Sequence, residues 1–174
     1  MNYRMNAGFI PLDHWIHTVE GGGRNIGEAC HIYDLFTYLA DSEATDICTH
    51  AIVPSPNGQY RRNDNFIAAI SFSDGSIGNL IYTALGNNRE PKEQMEIFFD
   101  GKIVKLNDYL SCEFVGCSTD NHTEKVQNKG HRQELKEFAE TIKKGQHCPI
   151  PLWQMIQATK ISFYVEKLIS SQAE

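Results

Sequence analysis

The chain of 174 residues is 41% apolar and carries 16 basic against 22 acidic residues, a formal net charge of -6 at pH 7. That apolar share suffices for one core or two small ones and argues against a disordered chain, while the acidic balance argues against nucleic acid or an anionic membrane as partner. No apolar run approaches the roughly 20 residues of a membrane-spanning helix, no charged head and apolar block opens the chain, and five cysteines without a Cys-x-x-Cys pair call for no oxidising compartment, so a cytoplasmic protein is expected.

Tyr3 to Gly8 reads as a strand, followed by an aromatic loop through Pro11, His14 and Trp15 that ends at Gly21, Gly22 and Gly23. From Arg24 to Ala40, apolar residues at Ile26, Ala29, Tyr33, Phe36 and Ala40 recur every three or four positions and predict a helix. Ile47 to Val53 predicts a strand closed by the turn cluster Pro54 to Gly58. Two hairpins follow, Phe66–Phe72 with Ile77–Leu85 around Asp74-Gly75, and Met95–Phe99 with Lys102–Leu106 around Asp100-Gly101. Asp-Gly tolerates the positive backbone angles of tight hairpin turns. Tyr109 to Val115 is a further candidate strand, and polar Ser118 to Lys129 a surface loop. Leu135, Phe138, Ala139 and Ile142 predict a helix stopped by Gly145, and a last helix runs from Pro151 to about Ser170. The expected architecture is one α+β domain over residues 1–174: a mostly antiparallel, open-faced sheet with helices packed on one face.

The chemistry-bearing segment is Gly21 to Asp34. At about 100° per residue, Arg24, Glu28, His31, Asp34 and Tyr38 fall on one polar stripe opposite the apolar face. Glu28 and His31, three apart, are within side-chain reach, so the carboxylate can orient the imidazole and raise its pKa for general-base work. The glycines allow close approach of a ligand to the backbone, and Arg24 adds a charge-assisted donor. Helices also carry histidine and glutamate on ordinary solvated faces, and the pattern alone leaves both readings open.

The run Gly21-Gly22-Gly23, then His31 and Asp34, followed by hairpins and a closing helix pair, resembles the C-terminal domain of the glucose-fructose oxidoreductase and inositol dehydrogenase family. Tyr3 to Gly8, Asp13-His14-Trp15 and Gly27-Glu28-x-x-His31 look like members fused behind zinc-type alcohol dehydrogenase domains. The resemblance implies an oxidoreductase domain whose His31 is the general acid/base, with Glu28 as its partner. Asn6, His14, Trp15, Arg24 and Asn25 are then candidate substrate contacts, and Gly22 and Gly23 candidate cofactor contacts. It further implies NAD or NADP held mainly by an N-terminal Rossmann domain of the same polypeptide, a carbohydrate-like substrate and a homo-oligomer through the sheet face. No strand leads through G-x-G-x-x-G into a helix here, so that cofactor domain lies outside this sequence. Most members place an aspartate four residues before the histidine, where this chain has Gly27.

Other readings carry less. His14, His17, His31 and Cys30 include zinc-type ligands, but Cys30 and His31 diverge by about 100° on the helix, and no metal is expected. Cys112 and Cys117 read as small apolar residues. Ile67, Ala69, Leu80 and Tyr82 are candidates for a second sheet face covered by another subunit. The rival functional reading is a non-catalytic carbohydrate-binding or assembly module that keeps the fold without the cofactor domain.

Overall fold

The computed structural model describes residues 1–55 and 58–171, so Pro56 and Asn57 of the expected turn cluster lie outside the described residues. Eight strands, β1 (Asn2–Asn6), β2 (Ala44–Ala51), β3 (Asn65–Phe72), β4 (Ile77–Thr83), β5 (Glu93–Phe99), β6 (Lys102–Asn107), β7 (Ser111–Val115) and β8 (His122–Thr123), form one sheet. Its order is β2-β3-β4-β1-β5-β6-β7-β8. Both expected hairpins are present, and every neighbouring pair is antiparallel except β1 with β4.

Strand alternation gives the sheet two unlike faces. On one, Tyr3, Met5, Phe66, Ile70, Leu80, Tyr82 and Met95 are buried under helices α1 (Cys30–Ala40) and α3 (Leu152–Ser171). Helix α1 contributes Ile32, Tyr33 and Phe36 to that core, and α3 contributes Ile161, Val165 and Ile169. Phe36 fits because β4 carries Gly78 beneath it, where a Cβ would stand 2.7 Å from the ring. The other face is open, with Ile67, Ile77 and Ile81 exposed among polar side chains. Leu80 and Tyr82 therefore do not share a face with Ile67 and Ala69 as expected. Register pairs Leu80 with Ala68 and Tyr82 with Phe66, on the covered side.

Two further expectations change. The polar stretch Ser118 to Lys129 contains the short strand β8, paired with β7. Helix α2 (His131–Lys144) ends at Gly145 as its sequence predicts, yet none of its residues is buried. Among the described residues no helix is long and apolar enough to cross a membrane.

Candidate active site

The approach to α1 is built by the chain's own close packing. A 3-10 turn at Trp15–His17 leads into the glycine run. A Cβ on Gly21 would lie 2.3 Å from the Trp15 carbonyl oxygen, and one on Gly23, at φ +74°, would lie 2.4 Å from Asn63 Nδ2. What these glycines accommodate is protein: Gly22, at φ +70°, would place its Cβ 3.1 Å from Ile26. The helix then opens not as α-helix but as a π-turn over Asn25–Ala29. A π-turn widens the helix and breaks the 100° register, so Arg24 leaves the polar stripe expected from Arg24 to Tyr38 and turns into the core.

Arg24 points inward and is 1% exposed. Its Nε donates to Tyr82 Oη at 2.8 Å, and Nη2 donates to the carbonyls of Ala7 and Gly8 at 3.2 and 3.3 Å. Asn25 is fully buried, donating to the Ser162 carbonyl and to Glu166 while accepting from Tyr33 Oη. The two residues expected to meet substrate thus spend these donors inside the domain, tying the π-turn to β1, β4 and α3.

Glu28 is the hub of this cluster. Its carboxylate accepts from Lys92 Nζ at 2.8 Å and from Tyr82 Oη, and lies 3.1 Å from Arg24 Nε. Burial raises its pKa, but the bonds from Lys92 and Tyr82 and the charge of Arg24 outweigh it and hold the carboxyl below the usual range. The carboxylate is thus committed to these partners, and what Glu28 adds at His31 is an upward pull on its pKa from the backbone carbonyl and from its charge. His31, in the first turn of α1, keeps its ring accessible to solvent. Surrounding protein nonetheless strips part of its hydration and pulls its pKa below the ordinary imidazole value, against an upward pull from Glu93.

A second charged cluster comes from the far half of the sheet. Glu93 opens β5 in register with Met5, so its side chain projects onto the helix-covered face, where it is 1% exposed. Lys129 Nζ donates to Glu93 Oε1 at 2.8 Å and lies 5.4 Å from the centroid of the Tyr109 ring. Tyr109 adopts φ +54°, uncommon for a bulky residue, and its hydroxyl is 3.4 Å from that of Tyr3. Burial, and then the neighbouring Tyr109 and Glu93, push the Tyr3 phenol far up.

The remaining candidates divide. Asn6, at the end of β1, donates to the carbonyls of Asn87 and Glu90, leaving Oδ1 buried without a partner. His14 and Trp15 are exposed on the loop before the glycines, and His14 Nδ1 accepts from the Ile16 amide. His17 is buried instead, 3.9 Å from Asp64, so it does not gather with His14 and His31. Lys92, Glu93, Tyr109 and Lys129 escaped the sequence reading. For Glu93 a signal existed: period-two alternation from Met95 places a carboxylate at an inward position.

The family model for the C-terminal alpha/beta domain of an oxidoreductase family matches residues 13–163. The chain belongs to that family. Comparison with curated proteins gave no match. Among solved structures, the domain is similar to UDP-N-acetylglucosamine 3-dehydrogenase from Acidithiobacillus ferrooxidans, with a TM-score of 0.76 at 13% identity over 98% of this chain and 53% of that one. It is similar also to a Klebsiella pneumoniae NAD binding oxidoreductase (TM-score 0.72, 13% identity, 98% and 56% of the two chains). A third likeness is to the Synechocystis biliverdin reductase solved with biliverdin and NADP+ (TM-score 0.70, 14% identity, 97% and 54%). At such identities the likeness shows the fold alone, and this oxidoreductase-family domain spans about half the length of the structures it matches.

Proposed function

We propose that this chain is the substrate-binding and proton-transfer domain of an NAD(P)-dependent oxidoreductase, acting on a hydroxyl-bearing carbon of a sugar, cyclitol or sugar nucleotide. The observation that carries the reading is His31, an accessible imidazole in the first turn of α1 with its pKa pulled below the ordinary value. At neutral pH such a ring is mainly uncharged and free to accept a proton.

In the oxidative direction His31 takes the hydroxyl proton, and in the reductive direction it returns it. Hydride transfer is the chemistry a nicotinamide supplies when bound. This chain's contribution to holding the cofactor is small, because Gly22 and Gly23 pack against Ile26 and Asn63 and form no phosphate cradle. A Rossmann domain elsewhere in the polypeptide fits the half-length coverage of the solved relatives. Exposed His14 and Trp15 are the proposed substrate contacts, whereas the oxygen of Asn6 is buried against Gly86 and its amide holds the loop of Asn87 and Glu90. Arg24 and Asn25 are reassigned to holding the π-turn, and Glu28 to orienting His31 through its carbonyl. The open sheet face, with Ile67, Ile77 and Ile81 exposed, is the proposed seat of a second copy of the chain.

The test replaces His31 with Ala and with Asn in the full-length protein and follows nicotinamide absorbance with a panel of sugars, cyclitols and sugar nucleotides. Turnover is expected to fall at least about a hundredfold, the lower end of a general base's contribution. Near wild-type turnover removes His31 from the mechanism. Sugar binding with no response to NADH in calorimetry favours the non-catalytic module instead.

A further inference from the structure

We propose that His17 and Asp64 are positioning residues of the substrate site, a buried pair whose unmade hydrogen bond closes when the turn presenting His14 and Trp15 takes up substrate. This role rests on the reading of His14 and Trp15 as substrate contacts and assigns what sets them in place.

His17 ends the 3-10 turn Trp15–His17 and is buried, while His14 and Trp15 stand exposed on the same turn. Neither ring nitrogen of His17 has a hydrogen-bond partner. Across from it, Asp64 ends a second 3-10 turn, Arg62–Asp64, and is buried as well. Its Oδ2 accepts from the Arg61 amide at 2.6 Å, whereas its Oδ1 has no partner. His17 Nδ1 and Asp64 Oδ1 lie 3.9 Å apart, too far for a hydrogen bond and near enough for one to form after a shift of about 1 Å. Buried polar atoms left unpaired are costly, and folded proteins keep few of them. Here three such atoms belong to one pair of side chains.

The two turns differ in what fixes them. The turn of Asp64 is tied to the body of the domain: its carbonyl accepts from the Ala84 amide at 3.1 Å just beyond β4, and the neighbouring Asn63 donates to Glu166 of α3 at 2.9 Å. The turn of His17 belongs to the loop between β1 and the π-turn. Arg61 Nη1 donates to the His17 carbonyl at 2.6 Å, and Ile16 Cδ1 occupies the space beside Gly27, where a Cβ would meet it at 2.8 Å. A movement that closes the pair therefore carries His14 and Trp15 towards a fixed wall. Hydrogen bonds of a working site are often long in the free protein and tighten in the complex, and the stability withheld by the open pair is regained when substrate closes it.

A pair left open in the free protein gives a test that a merely structural role does not mimic. Nicotinamide absorbance is followed in the full-length protein with D-glucose, myo-inositol and UDP-glucose as probes, alongside urea unfolding. His17→Leu removes two unpaired nitrogens, so the urea midpoint is expected to hold or rise while KM rises at least about tenfold and kcat stays within about threefold, the pattern of lost substrate binding. His17→Asn, whose amide sets a donor at the Nδ1 position, returns KM to near the wild-type value. His17→Gln, whose donor falls at the Nε2 position away from Asp64, repeats the rise in KM and decides the matter if His17→Leu does not fold. An unmoved KM in the Leu and Gln variants, or a rise that His17→Asn does not reverse, overturns the proposal. The two readings fail separately: an unmoved KM in His14→Ala and Trp15→Ala, or no turnover with any probe, refutes the substrate contacts, whereas a raised KM there with an unmoved KM in the His17 variants refutes only the positioning pair.

Discussion

Helices α1 and α2 carry the same kind of apolar stripe in sequence and meet opposite fates. In α1, Ile32, Tyr33 and Phe36 are fully buried against the sheet and α3. In α2, Leu135, Phe138 and Ile142 are 69%, 49% and 65% exposed. Periodicity says that a helix has a face to bury; it does not say whether the same chain supplies the surface that buries it. The difference is also functional. The well-buried helix carries His31 and follows a turn pinned by the Arg24, Glu28 and Lys92 cluster, while α2 stands outside the core.

Substitutions sharpen or break that contrast. Phe36→Ala is expected to cost about 3–5 kcal/mol, because the ring fills a fully buried site over Gly78. Urea unfolding followed by circular dichroism measures it, and a loss under 1 kcal/mol would mean that α1 is not the anchored helix. Gly23→Ala comes next, at roughly 1–3 kcal/mol, since it combines a positive φ with a Cβ pressed on Asn63, which itself donates to Glu166 of α3.

Glu28→Gln tests the charged pin under the π-turn. Because the folded carboxyl titrates below its usual range, its contribution is full above the unfolded glutamate value and is lost as pH falls through the folded one. The variant should therefore lose about 1 kcal/mol at neutral pH, with the gap to wild type closing in acid. Urea midpoints at pH 7 and pH 3 read this directly, and a gap that widens in acid would contradict it. The smallest effect is expected from Phe138→Ala in α2, within about 0.5 kcal/mol in the same unfolding assay on this chain. A loss of several kcal/mol there would show that α2 buries its stripe after all.

The site was legible in unequal parts. His31 stood out because the glycine run, the helix signal and the family resemblance converge on it within a few residues. Arg24 was legible as a polar residue at a helix start but not as a buried one, because the wheel that set it opposite the apolar face assumes α-helical pitch and the chain takes a π-turn there. Lys92, Glu93 and Lys129 come from β5, the residue before it and the segment after β8. No local pattern links Lys92 to Glu28 or Lys129 to Glu93, and only the tertiary fold brings these pairs together.

What the sequence by itself determined was local: the two Asp-Gly hairpins, the strand and helix periods, the glycine stop after α2 and the family to which the chain belongs. Those features depend on neighbours a few residues apart, and backbone sterics and alternation act over that range. Tertiary structure decided which stripes are covered, which glycines are crowded by protein, and which carboxylate is left with an unpaired oxygen in the interior. Burial and charge pairing depend on everything that arrives within a few ångströms, however far away in the chain it began.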